Sequence, residues 1–475
     1  MRPFEIIFVA ITAGAAICLG IDRWRRIGRF LVAVSLIAAI VHAVFEGAHW
    51  QMIPAYAAMG ILCIVAWRQE RLRPRLQTIT ALSAISLTAM AVLVSWLLPL
   101  FHLPKPTGSY PIGTTILYFK DTARIDDASP VAGSPRELMV QLWYPARPSR
   151  NRFARYREPR ETRFSSSYQS MILTNSRLDA PVASAGGPFP VILFNHGWGG
   201  RRTNDTFLTE ELASYGYIVA SIVHTYNASQ VAFPDGRVVL GNAPGDISSP
   251  DSSSADRVMA IWNKELLKWV ADQRFILDRL EAMNLAAGTP WFGRLNTNMT
   301  GAIGHSFGGA AATQACAEDP RIHAAVNMDG WFFAAIHARG SNQALLVMNA
   351  FDSNAIPDPN AKVDALLDKA DEADMEASLS RFGGYRLQVA GAAHDDFTDQ
   401  PLVSPLRKLS HSGKVPAPRM QDIVRTYVLA FFDSTLRGQD PGILNAESSP
   451  YAEATLRIWP GRKDAATVSS LSAGR

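Results

Sequence analysis

The distribution of apolar residues divides the chain into two parts. The first hundred residues contain four apolar stretches separated by short polar loops, at Phe4–Gly20, Phe30–Phe45, Met52–Trp67 and Ile79–Phe101. At a rise of about 1.5 Å per residue, each is long enough, or nearly so, to cross a hydrocarbon core of about 30 Å. Four in succession favour a membrane bundle over buried core helices. We therefore predict a transmembrane anchor over residues 1–104, with helices at about 4–20, 28–46, 50–67 and 77–101.

The loops between these stretches differ in their arginine content. The second loop, at residues 46–49, has no Lys or Arg, whereas the first and third loops each contain four arginines: Arg23, Arg25, Arg26 and Arg29, then Arg68, Arg71, Arg73 and Arg75. Because basic loops stay in the cytoplasm, the pattern predicts a multi-pass protein of the cytoplasmic membrane. Everything after Phe101 is then expected on the extracytoplasmic (periplasmic or extracellular) side.

Charge and cysteine content limit the partners and cross-links expected for the second part of the chain, residues 105–475. Residues 1–104 contain nine basic and four acidic residues, and the rest of the chain has a net charge of −1 within a total of +4. Such a near-neutral domain without a basic block gives no electrostatic reason to expect nucleic acid as a partner. Only Cys316 lies in this part, so an internal disulfide is excluded there.

From residue 105 onward, short apolar runs alternate with amphipathic segments. The predicted strands are Thr115–Phe119, Leu138–Tyr144, Pro190–Phe194, Tyr217–Val223, Ala302–Gly304, Ala324–Met328, Leu345–Met348 and Arg386–Val389. The predicted helices include Thr206–Tyr215, Ala255–Met283 and Met420–Leu436. Continuous apolar strands between helices predict an α/β fold with a mostly parallel sheet that helices cover on both faces. We expect this domain over residues 105–440, an irregular surface excursion at 145–188 and a peripheral tail at 441–475.

The most informative motif is Gly304-His305-Ser306-Phe307-Gly308-Gly309, which follows an apolar run and precedes the small residues 310–312. A G-x-S-x-G sequence between a strand and a helix is typical of a nucleophile turn. It exposes the serine hydroxyl and directs the first N–H groups of the helix toward a developing oxyanion. Ser306 is the expected nucleophile.

A serine nucleophile needs a base and a group that orients the base. His394 follows the predicted strand Arg386–Val389, where this arrangement requires its histidine. Two carboxylates follow earlier strands, Asp329 and Asp352. Position alone slightly favours Asp352.

Other residues near the predicted turn suggest an oxyanion hole and a substrate pocket. Asn195-His196-Gly197-Trp198-Gly199-Gly200 follows a strand, so the Trp198 amide is expected to pair with that of Phe307. Trp331 and Phe332 are candidates for an apolar pocket, although ordinary core packing explains them about equally well. The sequence has no metal-ligand spacing, no P-loop and no dinucleotide-binding motif. No cofactor or metal is expected.

With these motifs in place, residues 105–436 resemble the platelet-activating factor acetylhydrolase family, in its plasma-type (group VII phospholipase A2) branch. The resemblance rests on several ordered segments: Pro106–Gly113, Leu142–Pro145, His196–Gly199, Glu211–Ala220, Gly304–Gly309, Met328–Trp331 and His394–Phe397. In the family the acid follows the strand after the nucleophile helix, which implies Asp329 rather than Asp352.

The resemblance implies an α/β-hydrolase fold and a calcium-independent serine esterase that cleaves short or oxidised acyl groups from phospholipid-like esters. The anchor, which secreted members lack, would hold the enzyme at membrane lipid. The stretch Thr225–Ser229 also departs from the family's more charged sequence and leaves substrate preference open. The alternatives are a polyester or cutinase-like hydrolase, acyl transfer or amide hydrolysis, and a catalytically silent receptor or scaffold. The sequence does not indicate the natural ester, the oligomeric state or the role of 145–188.

Overall fold

The structure of the protein is a computed structural model that describes residues 1–68, 73–242, 255–332, 343–351, 362–440 and 442–460. The chain forms two compact units. The helical unit contains Met1–His102, Arg155–Leu173 and Leu402–Ser410, and the sheet unit contains Leu103–Ala154, Thr174–Pro401 and His411–Arg475.

Four long helices make up most of the helical unit: α1 (Pro3–Gly20), α2 (Arg25–Phe45), α3 (Ile53–Arg68) and α4 (Pro74–Leu97). All four are long and apolar enough to cross a membrane. Small residues pack between the helices, among them Ala15, Ala58 and Ala84, which are fully buried. Large apolar side chains such as Phe30 and Ile37 point outward and are 68% and 60% exposed. Small residues inside and large apolar residues outside are typical of helices that pack in lipid.

Two later segments of the chain also belong to the helical unit. In the first, Trp50 donates a hydrogen bond from Nε1 to the Ser165 carbonyl at 3.2 Å, and its ring lies 5.9 Å from that of Phe164. Tyr156 packs edge-on against Phe101 at 5.1 Å. The structure therefore divides the chain differently from the predicted boundary at residue 104. Part of the irregular excursion at 145–188 packs with the four helices, a long-range contact that local sequence patterns do not encode.

The sheet unit is built on an eleven-stranded sheet in the part of the chain that the structure describes, in the order β13-β12-β11-β10-β9-β5-β6-β2-β1-β4-β3. The strands are β1 (Ile112–Ile125), β2 (Pro135–Pro145), β3 (Phe153–Arg155), β4 (Leu173–Leu178), β5 (Phe189–Asn195), β6 (Ile218–Val223), β9 (Leu295–His305), β10 (Ile322–Met328), β11 (Ala344–Phe351), β12 (Gly384–Ala390) and β13 (Ala454–Trp459). The six strands from β6 to β12 in this order are parallel, whereas β2 and β13 pair with them antiparallel. Strands β7 (Gln230–Ala232) and β8 (Val238–Leu240) form a separate hairpin.

Helices cover both faces of this sheet. They are α5 (Thr206–Ser214), α6 (Ala255–Leu285), α7 (Phe307–Glu318), α8 (Lys362–Phe382) and α10 (Ala417–Arg437). The short α9 (Arg407–Ser410) belongs to the helical unit. Ala302 of β9 belongs to an apolar core shared with α6, α7 and α8. Its neighbour Gly301 faces Phe432 of α10 so closely that a Cβ there would lie 2.6 Å from the ring. Since successive residues of a strand point to opposite faces, α7 and α10 cover opposite sides.

The architecture agrees with the predicted α/β fold, and each predicted strand and helix overlaps an observed element, with ends that differ by a few residues. The tail at 441–475, predicted to be peripheral, contributes β13 to the edge of the sheet. The alternation in Ala454–Trp459 is weak because most of these side chains are partly or fully exposed. Pairing with β12, rather than its own pattern, makes this segment a strand.

Candidate active site

The turn between β9 and α7 holds Ser306 in a strained backbone conformation. Its φ is 56° and its ψ is −127°, a region that residues with a side chain rarely occupy. Its N–H donates a hydrogen bond of 2.8 Å to the Met328 carbonyl at the end of β10. The turn thereby places Ser306 directly before the N-terminus of α7, where backbone N–H groups lack helical partners.

Glycines allow three chain segments to meet at this turn. A Cβ on Gly308 would lie 2.3 Å from the Asn195 carbonyl oxygen, and one on Gly330 would lie 2.1 Å from the carbonyl oxygen of Ser306. A Cβ on Gly197 would lie 3.2 Å from the Ser306 Cβ. The loops after β5 and β10 therefore contact the nucleophile turn with no room for larger residues.

The register of the parallel strands explains why these loops converge. Asn195, the last residue of β5, pairs with Gly304 of β9, and His305 pairs with Met328 of β10. All three strands end at the same edge of the sheet, which is where open α/β sheets bind their ligands. Ser306, Asp329 and the loop from residue 196 follow directly from these paired ends.

The predicted acid and base are hydrogen-bonded to each other. His394 Nδ1 lies 2.7 Å from Asp329 Oδ2. Asp329 itself has a φ of 58°, and its other carboxylate oxygen accepts a hydrogen bond of 2.9 Å from the Ala350 N–H. This second bond fixes the carboxylate orientation, so that one oxygen remains directed at the imidazole.

The pKa of His394 reflects opposing influences. Partial burial disfavours the imidazolium, but the hydrogen bond to Asp329 and the charges of Asp329 and Asp395 outweigh it and raise the pKa of His394 above its usual value. Half of the His394 side chain remains exposed. The ring is thus held on its Nδ1 side by a carboxylate and remains accessible to a substrate.

His305, within the nucleophile motif, has a different environment. Its Nε2 donates a hydrogen bond of 2.8 Å to the His394 carbonyl. Burial and the nearby charge of His394 hold the pKa of His305 well below its usual value. Donor atoms of His305, His394 and Asp395 lie within 4.8 Å of one another. The hydrogen bond from His305 fixes the backbone of His394 beside the nucleophile turn.

Aromatic rings lie beside the nucleophile turn. The ring of Trp198 packs edge-on against that of Phe307 at 5.0 Å, and Trp331 lies 5.3 Å from Trp262. Trp198 and Trp331 are partly exposed at the margin of this cluster. Phe332, by contrast, is 3% exposed and belongs to the main core under the sheet. Core packing accounts for the position of Phe332.

A buried polar network supports the loop that contains Trp198. His224 Nδ1 lies 2.9 Å from Asp272 Oδ2, and His224 Nε2 lies 3.1 Å from Asn195 Oδ1. The His224 N–H donates a hydrogen bond to His196 Nε2 at 3.2 Å. Arg136 donates to the same Asp272 carboxylate at 2.7 and 3.2 Å. The sequence did not predict this network, because its members lie on four separate elements.

Burial keeps both of these histidines neutral. It lowers the pKa of His196 to about 3 and that of His224 to about 4. Neutral imidazoles at neutral pH act here as hydrogen-bonding supports of the loop. The alternative acid Asp352 lies outside the residues that the structure describes.

Comparisons with known proteins agree with this architecture. A sequence model of the family described as platelet-activating factor acetylhydrolase, isoform II, matches residues 100–235 and 289–441, more than half of the chain. A probable 1-alkyl-2-acetylglycerophosphocholine esterase of Arthroderma benhamiae is 26% identical over 394 residues, which cover 75% of this chain and 94% of the relative. Platelet-activating factor acetylhydrolase of Cavia porcellus is 24% identical over 278 residues, covering 53% of this chain and 58% of its own length.

A solved structure gives a similar result. The ferulic acid esterase of Streptomyces cinnamoneus superposes with a TM-score of 0.61 at 30% identity, covering 75% of this chain and 99% of its own. The predicted family and the predicted α/β-hydrolase fold are therefore confirmed. The chain belongs to the platelet-activating factor acetylhydrolase family and is a carboxylic ester hydrolase.

Proposed function

We propose that Ser306, His394 and Asp329 act as nucleophile, general base and orienting acid. The observation that carries this assignment is the 2.7 Å contact between His394 Nδ1 and Asp329 Oδ2 beside the strained Ser306 turn. A carboxylate on Nδ1 fixes the tautomer that leaves Nε2 free to accept the serine proton. It also stabilises the imidazolium that forms when the proton moves.

The oxyanion would be held by the backbone N–H groups of Trp198 and Phe307. Phe307 is the first residue of α7, directly after Ser306, so its N–H lies at the positive end of the helix dipole. Gly197 brings the preceding loop to within van der Waals contact of Ser306. Two fixed donors at this position would stabilise the negative charge that develops on the substrate carbonyl oxygen.

The reaction then proceeds in two halves. Ser306 Oγ attacks the ester carbonyl while His394 takes its proton, and the proton passes to the departing alcohol as the acyl-enzyme forms. Water next attacks the acyl-enzyme with His394 again as base, and the acid and Ser306 are released. Both halves use the same base and the same oxyanion donors.

The proposed substrates are short-chain or oxidised acyl esters of phospholipid type. Two observations support this class. The rings of Trp198, Phe307 and Trp331 give the nucleophile an apolar border, which suits an acyl chain. The relative from Arthroderma benhamiae is named as an esterase of an alkyl-acetyl-glycerophosphocholine. A polyester or cutinase-like hydrolase is the second candidate, favoured by the partly exposed site at the sheet edge.

The helical unit would place this activity at a membrane. Four helices of sufficient length and hydropathy, together with the arginine-rich first and third loops, support a multi-pass anchor with the catalytic domain on the extracytoplasmic side. Lipid-derived esters would then be available at high local concentration.

The test is hydrolysis of p-nitrophenyl esters from acetyl to palmitoyl by the full chain in detergent. We expect turnover that falls steeply with acyl length and that decreases by about 10³-fold or more in Ser306→Ala. Ser184→Ala, a change at an exposed serine, is the matched control and should retain full activity.

The other possible outcomes of this assay each favour a different function for the protein. Equal turnover of long chains, with hydrolysis of polyester films, would favour the cutinase-like candidate. A folded protein that neither turns over esters nor reacts with a fluorophosphonate probe would overturn the proposed mechanism and favour the silent scaffold.

A further inference from the structure

Three potential metal ligands meet at one end of the four-helix bundle, away from the hydrolase residues in the chain. Glu5 lies in the first turn of α1, His42 in the last turn of α2, and His49 in the loop before α3. Their side chains are 1%, 0% and 3% exposed. One donor atom from each lies within 4.8 Å of the others. Ionisable groups buried within a bundle of this kind are costly and therefore suggest a function.

His42 is oriented as a metal ligand would be. Its Nδ1 lies 3.1 Å from Glu46 Oε2. Because a carboxylate accepts, His42 donates from Nδ1, and its Nε2 carries a lone pair. This Nε2 is buried and has no hydrogen-bond partner. Metal-bound histidines commonly donate their second ring N–H to a carboxylate in this way.

His49 also has its Nδ1 held by a hydrogen-bond acceptor, here the side-chain amide oxygen of Gln51. Its Nδ1 lies 2.5 Å from Gln51 Oε1, and Gln51 Nε2 donates to the Leu98 carbonyl at 3.0 Å. The second bond fixes the Gln51 amide with its oxygen toward the imidazole. His49 therefore donates from Nδ1, and its Nε2 lone pair faces Glu5.

The contact between His49 and Glu5 brings two potential ligand atoms together. His49 Nε2 lies 2.9 Å from Glu5 Oε1. A metal cation can take the place of a proton between an imidazole nitrogen and a carboxylate oxygen. Two zinc ligands at about 2.0–2.1 Å in tetrahedral geometry are separated by about 3.4 Å. A shift of about half an ångström would convert the contact into one edge of a coordination shell.

The charges in contact with the cluster also favour a cation. Glu5 and Glu46 provide two carboxylates, and Arg2 provides one guanidinium. Arg2 Nε lies 2.5 Å from Glu5 Oε1 and 3.9 Å from Glu46 Oε2. The carboxylates at this site outnumber the guanidinium by one, a balance that suits an added cation. Arg2 and Glu46 are 24% and 11% exposed, so an ion has a route from the bundle end.

We propose that Glu5, His42 and His49 bind a divalent transition-metal ion of the zinc type. Two imidazole nitrogens and one carboxylate suit zinc and its neighbours, whereas calcium and magnesium prefer oxygen ligands alone. The ion connects the start of α1, the end of α2 and the loop before α3. It acts as a clamp on the bundle and is independent of the ester hydrolase chemistry.

The test uses the full chain in detergent, stripped with a chelator and then dialysed against limiting Zn²⁺. We expect about one zinc per chain by elemental analysis and a thermal midpoint that rises with zinc concentration. His42→Gln and His49→Gln should each reduce uptake at least tenfold. His102→Gln, at an exposed histidine of the same unit, and His394→Gln, at the hydrolase site, should bind as the wild type does.

A second readout does not depend on the folding of any variant. Cobalt loaded into the wild-type chain should give visible absorption bands of a four- or five-coordinate site, and zinc should abolish them by displacement. Failure of the wild type to take up zinc or to show these bands would overturn the proposal. Zinc uptake that survives in both His42→Gln and His49→Gln, or disappears in His394→Gln, would place the ion elsewhere and overturn it as well.

Discussion

At the scale of single residues, the site depends on where the proton of His394 resides. Asp329 is bonded to Nδ1 and raises the imidazole pKa, whereas burial acts in the opposite direction. A base must be neutral to accept the Ser306 proton. Activity should therefore rise with pH through the His394 pKa, with a midpoint above the ordinary histidine value and a plateau on the alkaline side.

Replacing Asp329 by Asn tests this coupling. Loss of the carboxylate lowers the His394 pKa, so the midpoint of kcat/KM should move to lower pH. The plateau value of kcat should fall by about 10³–10⁴-fold, since the amide no longer stabilises the required tautomer and its cation. Full pH profiles of wild type and variant measure both effects.

Asp395→Asn is the matched control for charge alone. Asp395 raises the His394 pKa only through space, and its own pKa is raised mainly by burial. We expect a shift of the midpoint in the same direction with kcat changed by less than about tenfold. Equal losses of kcat in the two variants would contradict the special role of Asp329.

Sequence position alone was sufficient to suggest Ser306 and His394, since each follows a strand in the required chain order. It could not separate Asp329 from Asp352, because both follow strands, and the resemblance to the family was needed to choose. The network of His196, His224 and Asp272 was not predictable from local patterns. Its distances arise only when β2, β5, β6 and α6 are brought together.

At the scale of elements, the same network joins the sheet to the loop that precedes Trp198. Arg136 of β2 is 3% exposed and donates to Asp126 at 2.7 Å, to the Thr225 carbonyl at 2.8 Å and to Asp272. Its positive charge and the His224 hydrogen bond keep the pKa of Asp272 well below its usual range against the opposing effect of burial. The carboxylate remains ionised in the interior because these partners, together with Arg124 Nη2 at 2.9 Å, surround it.

Arg136→Met should therefore be strongly destabilising. Removal of Arg136 takes the arginine from the buried Asp126 and leaves Asp272 with Arg124 at 2.9 Å as its remaining arginine. Breaking buried ion pairs in this way costs about 3–5 kcal/mol. A loss of this size corresponds to a decrease in Tm of about 4–7 °C, since the entropy of unfolding grows with the size of the domain. Thermal unfolding followed by intrinsic fluorescence gives the measurement.

The control is an arginine on the surface with a similar set of partners. Arg237 is about half exposed and pairs with Glu137 and Asp235. Water solvates these charges after the change, so Arg237→Met should lower the free energy of unfolding by less than about 1 kcal/mol. Equal effects in the two variants would show that burial of the Arg136 network contributes nothing.

Predicted strands were most reliable in the centre of the sheet. The runs at Pro190–Phe194 and Ala324–Met328 are buried on both faces and are therefore continuously apolar. The edge strands β4 and β13 have mixed exposure, and their pairing partners rather than their composition define them. The metal ligands proposed in the bundle were missed for a related reason, since Glu5 lies far from the two histidines in sequence and the spacing of His42 and His49 fits no short motif.

At the scale of the whole molecule, the arginine pattern predicts which side of the membrane each loop faces. This orientation can be tested directly. In a background with Cys18 and Cys63 changed to Ala, a cysteine is introduced at Ala48 in the second loop or at Asp22 in the first. Both positions are exposed, and the native Cys316 is buried. A membrane-impermeant maleimide should label Ala48→Cys in intact cells but not Asp22→Cys.

Permeabilised cells provide the control, because both cysteines should then react. Labelling of Asp22→Cys in intact cells would contradict the proposed orientation. It would place the hydrolase domain on the cytoplasmic side, since an even number of spans separates the start of the chain from residue 105.

The two compact units are interleaved along the chain, with junctions at 102/103, 154/155, 173/174, 401/402 and 410/411. No single cut can therefore separate them into two self-contained pieces. A protease acting after His102, or a gene truncated there, would free a polypeptide that still carries residues 155–173 without the rings of Trp50 and Phe101 against which they pack. Cleavage at this position is therefore expected to remove part of the packing of residues 155–173 along with the four helices.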